Sequence, residues 1–249
     1  MFDNSQFFVS GGAAWSAPVY SLDFQSANAA YMQQTFSTPT LASKWTFSTW
    51  LKIGSTGANK MVFTAGVDIV SYDYIQINSS GAILIFHGVV GSTAGYVFTG
   101  NVITSTTTWY HLTVKFDGSA AASNRVTVYL NGTAQSLTVS TAWPSGGGYI
   151  NTAIAHGLAV RYRPPSSYDA YYDGLLYDTH FIDGQSLDYS SFYDAGSPIE
   201  YTGTYGTNGF HLEYSDNSTV AALGTDTSGN ANDWTVTNVL TTDQSTDIP

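Results

Sequence analysis

The chain has 249 residues and a mass of 26.7 kDa, enough to bury one sizeable core, and all-β chains of this length are often a single domain. Charged residues make up 10% and aromatic residues 15%, which excludes a Lys/Glu-rich helical protein and a disordered chain alike. Seven Lys and Arg against eighteen Asp and Glu leave a net charge of −11 and exclude a phosphate-tracking nucleic-acid surface, while the lack of Cys excludes disulfides and thiolate metal sites.

In chain order, residues 1–19 read as a polar arm that carries Phe2, Phe7, Phe8 and Trp15 and is closed by Pro18. MFDNSQFFVSG has neither a basic start nor a long apolar run, so no signal peptide is expected there. Apolar side chains on a short polar arm cannot build their own core, so these four residues are expected to pack on another subunit. Residues 20–199 hold most of the strands. WTFSTWLKI, 45 to 53, is rich in aromatic and β-branched residues. YIQINSSGAILIF reads as a hairpin, with Ile75 and Ile77 before the turn and Ile83 and Ile85 after it. Its AILIF run is far too short to span a bilayer, and a soluble protein with no membrane partner is expected.

YHLTVKFDG alternates, with Tyr110, Leu112, Val114 and Phe116 on one face and His111, Thr113 and Lys115 on the other. RVTVYLNG repeats the pattern through Val126, Val128 and Leu130, and Asn131-Gly132 supplies a tight turn into a return strand TAQSLTVS. A short helix is expected near 186–194, SLDYSSFYD, after a turn at Asp183-Gly184. From Glu200 the composition shifts to Gly, Thr, Asn and Asp, with strand-like GFHLEY and WTVTNV, and residues 200–249 are expected to pack on the same sandwich. These signals predict an all-β, antiparallel two-sheet jelly-roll sandwich with Trp50, Leu112, Val114, Val128 and Leu130 near its core.

Three groups of residues carry potential chemistry. RYRPPSSYDAYYDG, 161 to 174, gathers Tyr162, Tyr168, Tyr171 and Tyr172 with Asp169 and Asp173. Tyr and Arg are anchors of protein interfaces, the first reading here. Flat aromatic faces beside carboxylates also suit a sugar, the second. In GTDTSGNANDW, Asp226, Ser228 and Asn230 alternate as in an oxygen-ligand loop for Ca2+, but such runs are also turn formers, and no Glu stands twelve positions on. The five His (87, 111, 156, 180, 211) are scattered without metal-ligand spacing, so no cofactor is required.

YSLDFQSANAAYM, WTFSTWLKI, WYHLTVKFDG, VTVYLNG and YDGLLYDTHFIDGQSL, in that order over residues 20–195, resemble the laminin-G-like, concanavalin A-like lectin/glucanase jelly roll. The resemblance implies that fold, a structural role for His111, and a turn at Asp226. Relatives that are glucanases carry Glu-x-Asp-x-Glu, whereas this chain has only Glu200 and Glu213, so no enzymatic activity is expected. The tail, YTGTYGTNGFHLEYSDNS followed by LGTDTSGNANDWTVTN, resembles a segment of structural proteins of tailed, especially marine, bacteriophages. It implies a virion structural protein, a head decoration, cement or fibre-associated component. Such a protein would be assembled in the host cytoplasm, exposed on the particle, and partnered by copies of itself and other virion proteins. The alternative is a carbohydrate-binding module for a host cell-surface glycan.

Overall fold

Alternating side chains give each strand two faces, and strands of this composition are stable only where one face is buried against another layer. The computed structural model describes residues 16–89, 91–165 and 167–249. In chain order the strands begin with β1 (Ser21–Phe24), β2 (Tyr31–Thr35), β3 (Lys44–Ile53), β4 (Lys60–Gly66), β5 (Tyr72–Ile77), β6 (Ala82–Val89) and β7 (Ser92–Asn101). They continue with β8 (Tyr110–Asp117), β9 (Val126–Leu130), β10 (Thr133–Ala134), β11 (Thr138–Thr141), β12 (Ala155–Leu158), β13 (Arg161–Arg163), β14 (Ser167–Asp169) and β15 (Gly174–Asp183). The last are β16 (Tyr193–Asp194), β17 (Ser197–Pro198), β18 (Phe210–Leu212), β19 (Thr235–Thr237) and β20 (Gln244–Ser245).

Sixteen of them form two eight-stranded antiparallel sheets, and β13-β14 and β16-β17 are two further antiparallel pairs. Sheet I runs β10-β9-β8-β3-β15-β1-β20, with β18 also on β15, and sheet II runs β11-β7-β6-β5-β4-β12-β2-β19. The all-β sandwich expected from the alternation is the fold observed. Leu112, Val114, Val128 and Leu130 lie in the core, where Phe47 of sheet I stacks on Phe63 of sheet II at 5.0 Å. The tail joins this core through Phe210, Leu223, Trp234 and Val239. Trp50 is buried too, but on the outer side of sheet I, against Tyr193 at 5.6 Å.

Two local expectations are corrected. The return strand TAQSLTVS does not stay with its partner: Thr133 and Ala134 pair with β9, and Thr138–Thr141 crosses to pair with β7 in sheet II. The turn itself forms as read, with Asn131 and Gly132 at φ 49 and 75, the left-handed values that this two-residue hairpin needs. The stretch near 186–194 makes one 3-10 turn, Tyr189–Ser191, because its side chains are used to cover sheet I. Leu187 donates its N–H to Thr46 Oγ1, Lys115 pairs with Asp188, and Tyr193 stacks on His111 at 5.0 Å. Sheet I is thereby buried on both faces, and the outward-pointing Ser48, His111 and Thr113 are as dry as the core. Among the described residues no helix is long and apolar enough to cross a membrane. Phe2, Phe7, Phe8 and Trp15, the expected assembly residues, lie outside the described residues.

Val128→Asp places an unpaired charge in a fully buried position and should cost about 4 kcal/mol or more, read by urea denaturation; a loss under about 1 kcal/mol contradicts the packing. His156 is one acid-sensitive element, and His111, whose pKa burial also lowers to about 3, is another. His156 stacks on Phe36 at 3.7 Å, its Nδ1 faces the Ile154 carbonyl, and its Nε2 accepts the Asn151 N–H. Burial lowers its pKa to about 3, so the unfolded chain takes up this proton first and stability falls as pH drops from about 6.5 toward 3. The contribution is about 1.4 kcal/mol per pH unit, and His156→Gln should remove that share of the slope between pH 6 and 4.

Candidate functional site

Sheet II differs from sheet I in what its outer face carries. On β5, Asp73, Ile75 and Ile77 point inward, so Tyr72 and Tyr74 point out; the same phase turns Phe86 out of β6 and Tyr96 and Phe98 out of β7. All five are half-buried. Their rings adjoin one another: Tyr74 stacks on Phe86 at 4.8 Å and 14°, Tyr72 lies 5.7 Å from Phe86, and Tyr96 lies 5.3 Å from Phe98. Three neighbouring strands at about 4.8 Å spacing make this shelf roughly 10 Å wide, the length of two pyranose rings. The outward face of an antiparallel sheet is ordinarily polar, so an aromatic outward phase on three adjacent strands marks a surface built for contact.

The β13–β14 hairpin walls one side of the shelf. It is held on β4 by the Tyr162 N–H, which donates to Thr64 Oγ1 at 3.3 Å. The Arg163 guanidinium lies over Tyr72, 5.7 Å from its centroid. Asp169 lies between the two arginines: Arg161 donates through Nε and Nη2 at 2.6 and 2.7 Å, and Arg163 through Nη2 at 2.7 Å. Hydrogen bonds from Arg161 hold the Asp169 carboxyl below the usual range, so it stays ionised. Burial, reinforced by Tyr96 and Tyr72, pushes the Tyr74 phenol well above its ordinary value, so it remains a neutral O–H donor. Burial and then Tyr31 raise Tyr168 to about 12.

The six residues read from 161–174 divide. Tyr162 and Tyr168 stack at 4.9 Å, and Tyr31 joins Tyr168 at 4.9 Å and Tyr171 at 6.2 Å, so these rings and Asp169 stay together, with Tyr162 buried beneath the rest. Tyr172 does not share it. After the left-handed Ala170, at φ 48, alternation sends Tyr171 out and Tyr172 into the core, where it is fully buried. Asp173 also leaves, accepting the Ser26 and Ser55 hydroxyls at 3.2 and 2.6 Å beside sheet I. The shelf residues Tyr72, Tyr74, Phe86, Tyr96 and Phe98 were missed at the sequence level, because the inward isoleucines of the hairpin drew attention from the opposite phase.

Asp226, Ser228 and Asn230 form a turn tied to β18 and the chain just before it. Asp226 Oδ1 accepts the His211 and Ser228 N–H groups at 2.8 and 2.9 Å, and Oδ2 accepts the Ser228 hydroxyl and the Asn232 N–H, both at 2.9 Å. The Asn230 amide donates to the Gly206 and Gly209 carbonyls at 2.7 and 2.9 Å. With the carboxylate engaged by these donors, this set does not fit a Ca2+, which needs six to eight converging oxygens. The scattered histidines are a clearer correction, since the fold brings His180 and His211 together on Asp178, with ligand atoms within 4.8 Å of one another. Burial raises the Asp178 carboxyl, but His180 and His211 outweigh it and hold the carboxyl well below the usual range.

One carboxylate pair also emerges only in three dimensions. Asp23 and Asp243 flank a cleft of about 600 Å3, and Gln25 Nε2 donates to both, at 3.4 and 3.2 Å. Burial, then the charge of Asp243, raises the Asp23 pKa.

Comparison with known proteins places this geometry. Residues 26–185 match the laminin G-like family described as the concanavalin A-like lectin/glucanases superfamily, and the chain belongs to that family. A putative carbohydrate binding protein from Bacteroides ovatus shares the fold at a TM-score of 0.59 and 12% identity, over 90% of this chain and 61% of that one. A heptameric SAP-like pentraxin from Limulus polyphemus aligns at 0.51 and 15% identity, over 70% of this chain and 80% of that one. The NanB sialidase of Streptococcus pneumoniae aligns at 0.51 and 14% identity, over 70% of this chain and 27% of the sialidase. A search of curated protein sequences found no match.

Asp226→Ala removes four hydrogen bonds to one buried carboxylate and should destabilise by about 2–3 kcal/mol. Added Ca2+ should leave the wild-type melting temperature unchanged, and a Ca2+-dependent rise that Asp226→Ala abolishes would contradict the turn assignment.

Proposed function

We propose that the chain is a carbohydrate-binding module whose aromatic shelf on sheet II receives a saccharide of about two exposed rings. The observation that carries this reading is the shelf itself: five outward rings on three adjacent strands, edged by phenol hydroxyls and an Arg–Asp pair. Sugar rings present C–H groups on their faces, which pack on aromatic faces, and hydroxyls at their edges, which pair with Tyr O–H, guanidinium and carboxylate groups. The fold shared with a putative carbohydrate binding protein adds fold-level analogy.

Binding without turnover is part of the proposal. Asp169 is neutralised by two arginines, and Asp173 is held by two serine hydroxyls. The setting implied by the tail is a bacteriophage particle, on which such a module would meet a host glycan; mass spectrometry of purified particles that lack the chain would remove that setting and leave the binding reading intact.

On a glycan array the full chain should bind a restricted set of saccharides, and Tyr74→Ala and Phe86→Ala should each weaken binding by about 10-fold, the equivalent of one lost stacking contact. Folded variants that bind as the wild type does would refute the shelf. No reducing ends should be released from a bound polysaccharide. Steady release that Asp23→Asn abolishes would make the protein an enzyme acting at the Asp23–Asp243 cleft.

A further inference from the structure

Sheet I carries a second, unrelated constellation beneath its covering loops. β15 contains one more residue than β3 between the Tyr177–Trp50 and His180–Ser48 pairs. Without that bulge Asp178 would lie opposite Thr49 and face the core; with it, and with Asp178 at φ 51, the carboxylate turns to the outer side beside His180. β18 pairs with the same strand and sets His211 directly opposite His180. The two imidazoles stack at 4.0 Å and 13°, and both bring Nε2 to a single atom, Asp178 Oδ1, at 2.7 Å from His211 and 3.1 Å from His180.

We propose that Asp178, His180 and His211 form a binding site for a divalent first-row transition ion, represented by Zn2+, on the outer face of sheet I. Two imidazole nitrogens and one carboxylate oxygen from two adjacent strands are a recognised ligand set for such ions, and the set is wrong for Ca2+ or Mg2+, which take oxygens. The outer nitrogens support the assignment. His180 Nδ1 meets the Tyr205 hydroxyl at 3.0 Å and His211 Nδ1 meets Thr227 Oγ1 at 3.0 Å, so each ring is oriented from behind, as ligating histidines are. A bulge that turns a third ligand-type group onto two already convergent nitrogens points to a shared central partner more than to three independent core contacts. A cavity of about 260 Å3 adjoins both imidazoles, with Glu213, Tyr205 and Thr227 in its wall, while Asp178 lies behind the rings and does not line it.

The test uses the untagged full chain, stripped with a chelator and titrated with Zn2+ by calorimetry. One Zn2+ per chain should bind, and in long-range 15N spectra the imidazole nitrogens of His180 and His211 should shift while those of His87, His111 and His156 stay in place. His211→Gln should weaken binding by at least roughly 100-fold, and Thr227→Val by roughly 10-fold, the range expected for a ligand and an outer partner. His156→Gln, buried but remote from the cluster, should bind as the wild type does. If a variant fails to fold, the wild-type spectra still decide the matter. No stoichiometric Zn2+ uptake, or uptake that moves the ring signals of other histidines and not these two, overturns the proposal.

Discussion

Period-two alternation imposes a second face on every strand of the sandwich, and the way that face is covered determines what each sheet can do. The shared core takes one face of each sheet through Phe47, Phe63, Phe181 and Phe210. The other face of sheet I is roofed by residues 185–205, so side chains such as Ser48, His111 and His180 are sealed from water. A sealed polar group is costly without a partner: Ser48 Oγ and His111 Nε2 meet at 2.9 Å and His180 reaches Asp178 and Tyr205, while His111 Nδ1 is left without one. Fixed partners give that layer a defined geometry, the condition for holding an ion. Among the described residues the β13–β14 hairpin covers the middle of the outer face of sheet II, and what it leaves open on β5, β6 and β7 is aromatic.

The sandwich was legible because its inward phase is so regular. Leu112, Val114, Val128 and Leu130 can be read from alternation alone, and the left-handed Asn131-Gly132 turn from two letters. The sites were less legible, for reasons that are physical. Tyr74 and Phe86 are twelve residues apart and meet only because the β5–β6 register places them opposite each other. His180 and His211 are thirty-one apart and meet through β15–β18 pairing, while Asp178 joins them through a bulge that no residue spacing announces. In 161–174 the composition pointed to a cluster of which Tyr168, Tyr171 and Asp169 stay together with Tyr162 buried beneath, but composition has no phase. It could not tell that the next strand would draw Tyr172 inward.

Charge plays a narrow part. Lys44, Lys52 and Lys115 are paired with Asp117, Asp247 and Asp188, and Arg161 and Arg163 share Asp169. These exposed pairs are worth little to stability, but they leave few cations free while acids remain in excess. The long-range field is therefore negative, and an acidic polymer is repelled before it arrives. The recognition proposed for the shelf would rest on short-range packing of rings and hydrogen bonds from phenol groups, which salt screens weakly.

The shelf and the histidine cluster lie on opposite outer faces, separated by the two sheets and the core between them, whose packed faces stand about 10 Å apart. Sites at that distance without shared partners act additively unless a packed element moves between two arrangements. The elements that bear them are distinct, since β5, β6 and β7 carry the shelf while β15 and β18 carry the cluster. What joins them is aromatic packing through the interior, in which Phe210, next to His211, touches Phe63 of β4 at 6.4 Å. An ion at the cluster would thus stiffen the pairing of β15 with β18 without reshaping the shelf. The two proposed roles are therefore separable in function as well as in space, an ion clamp in a sealed polar layer and an open face for a partner.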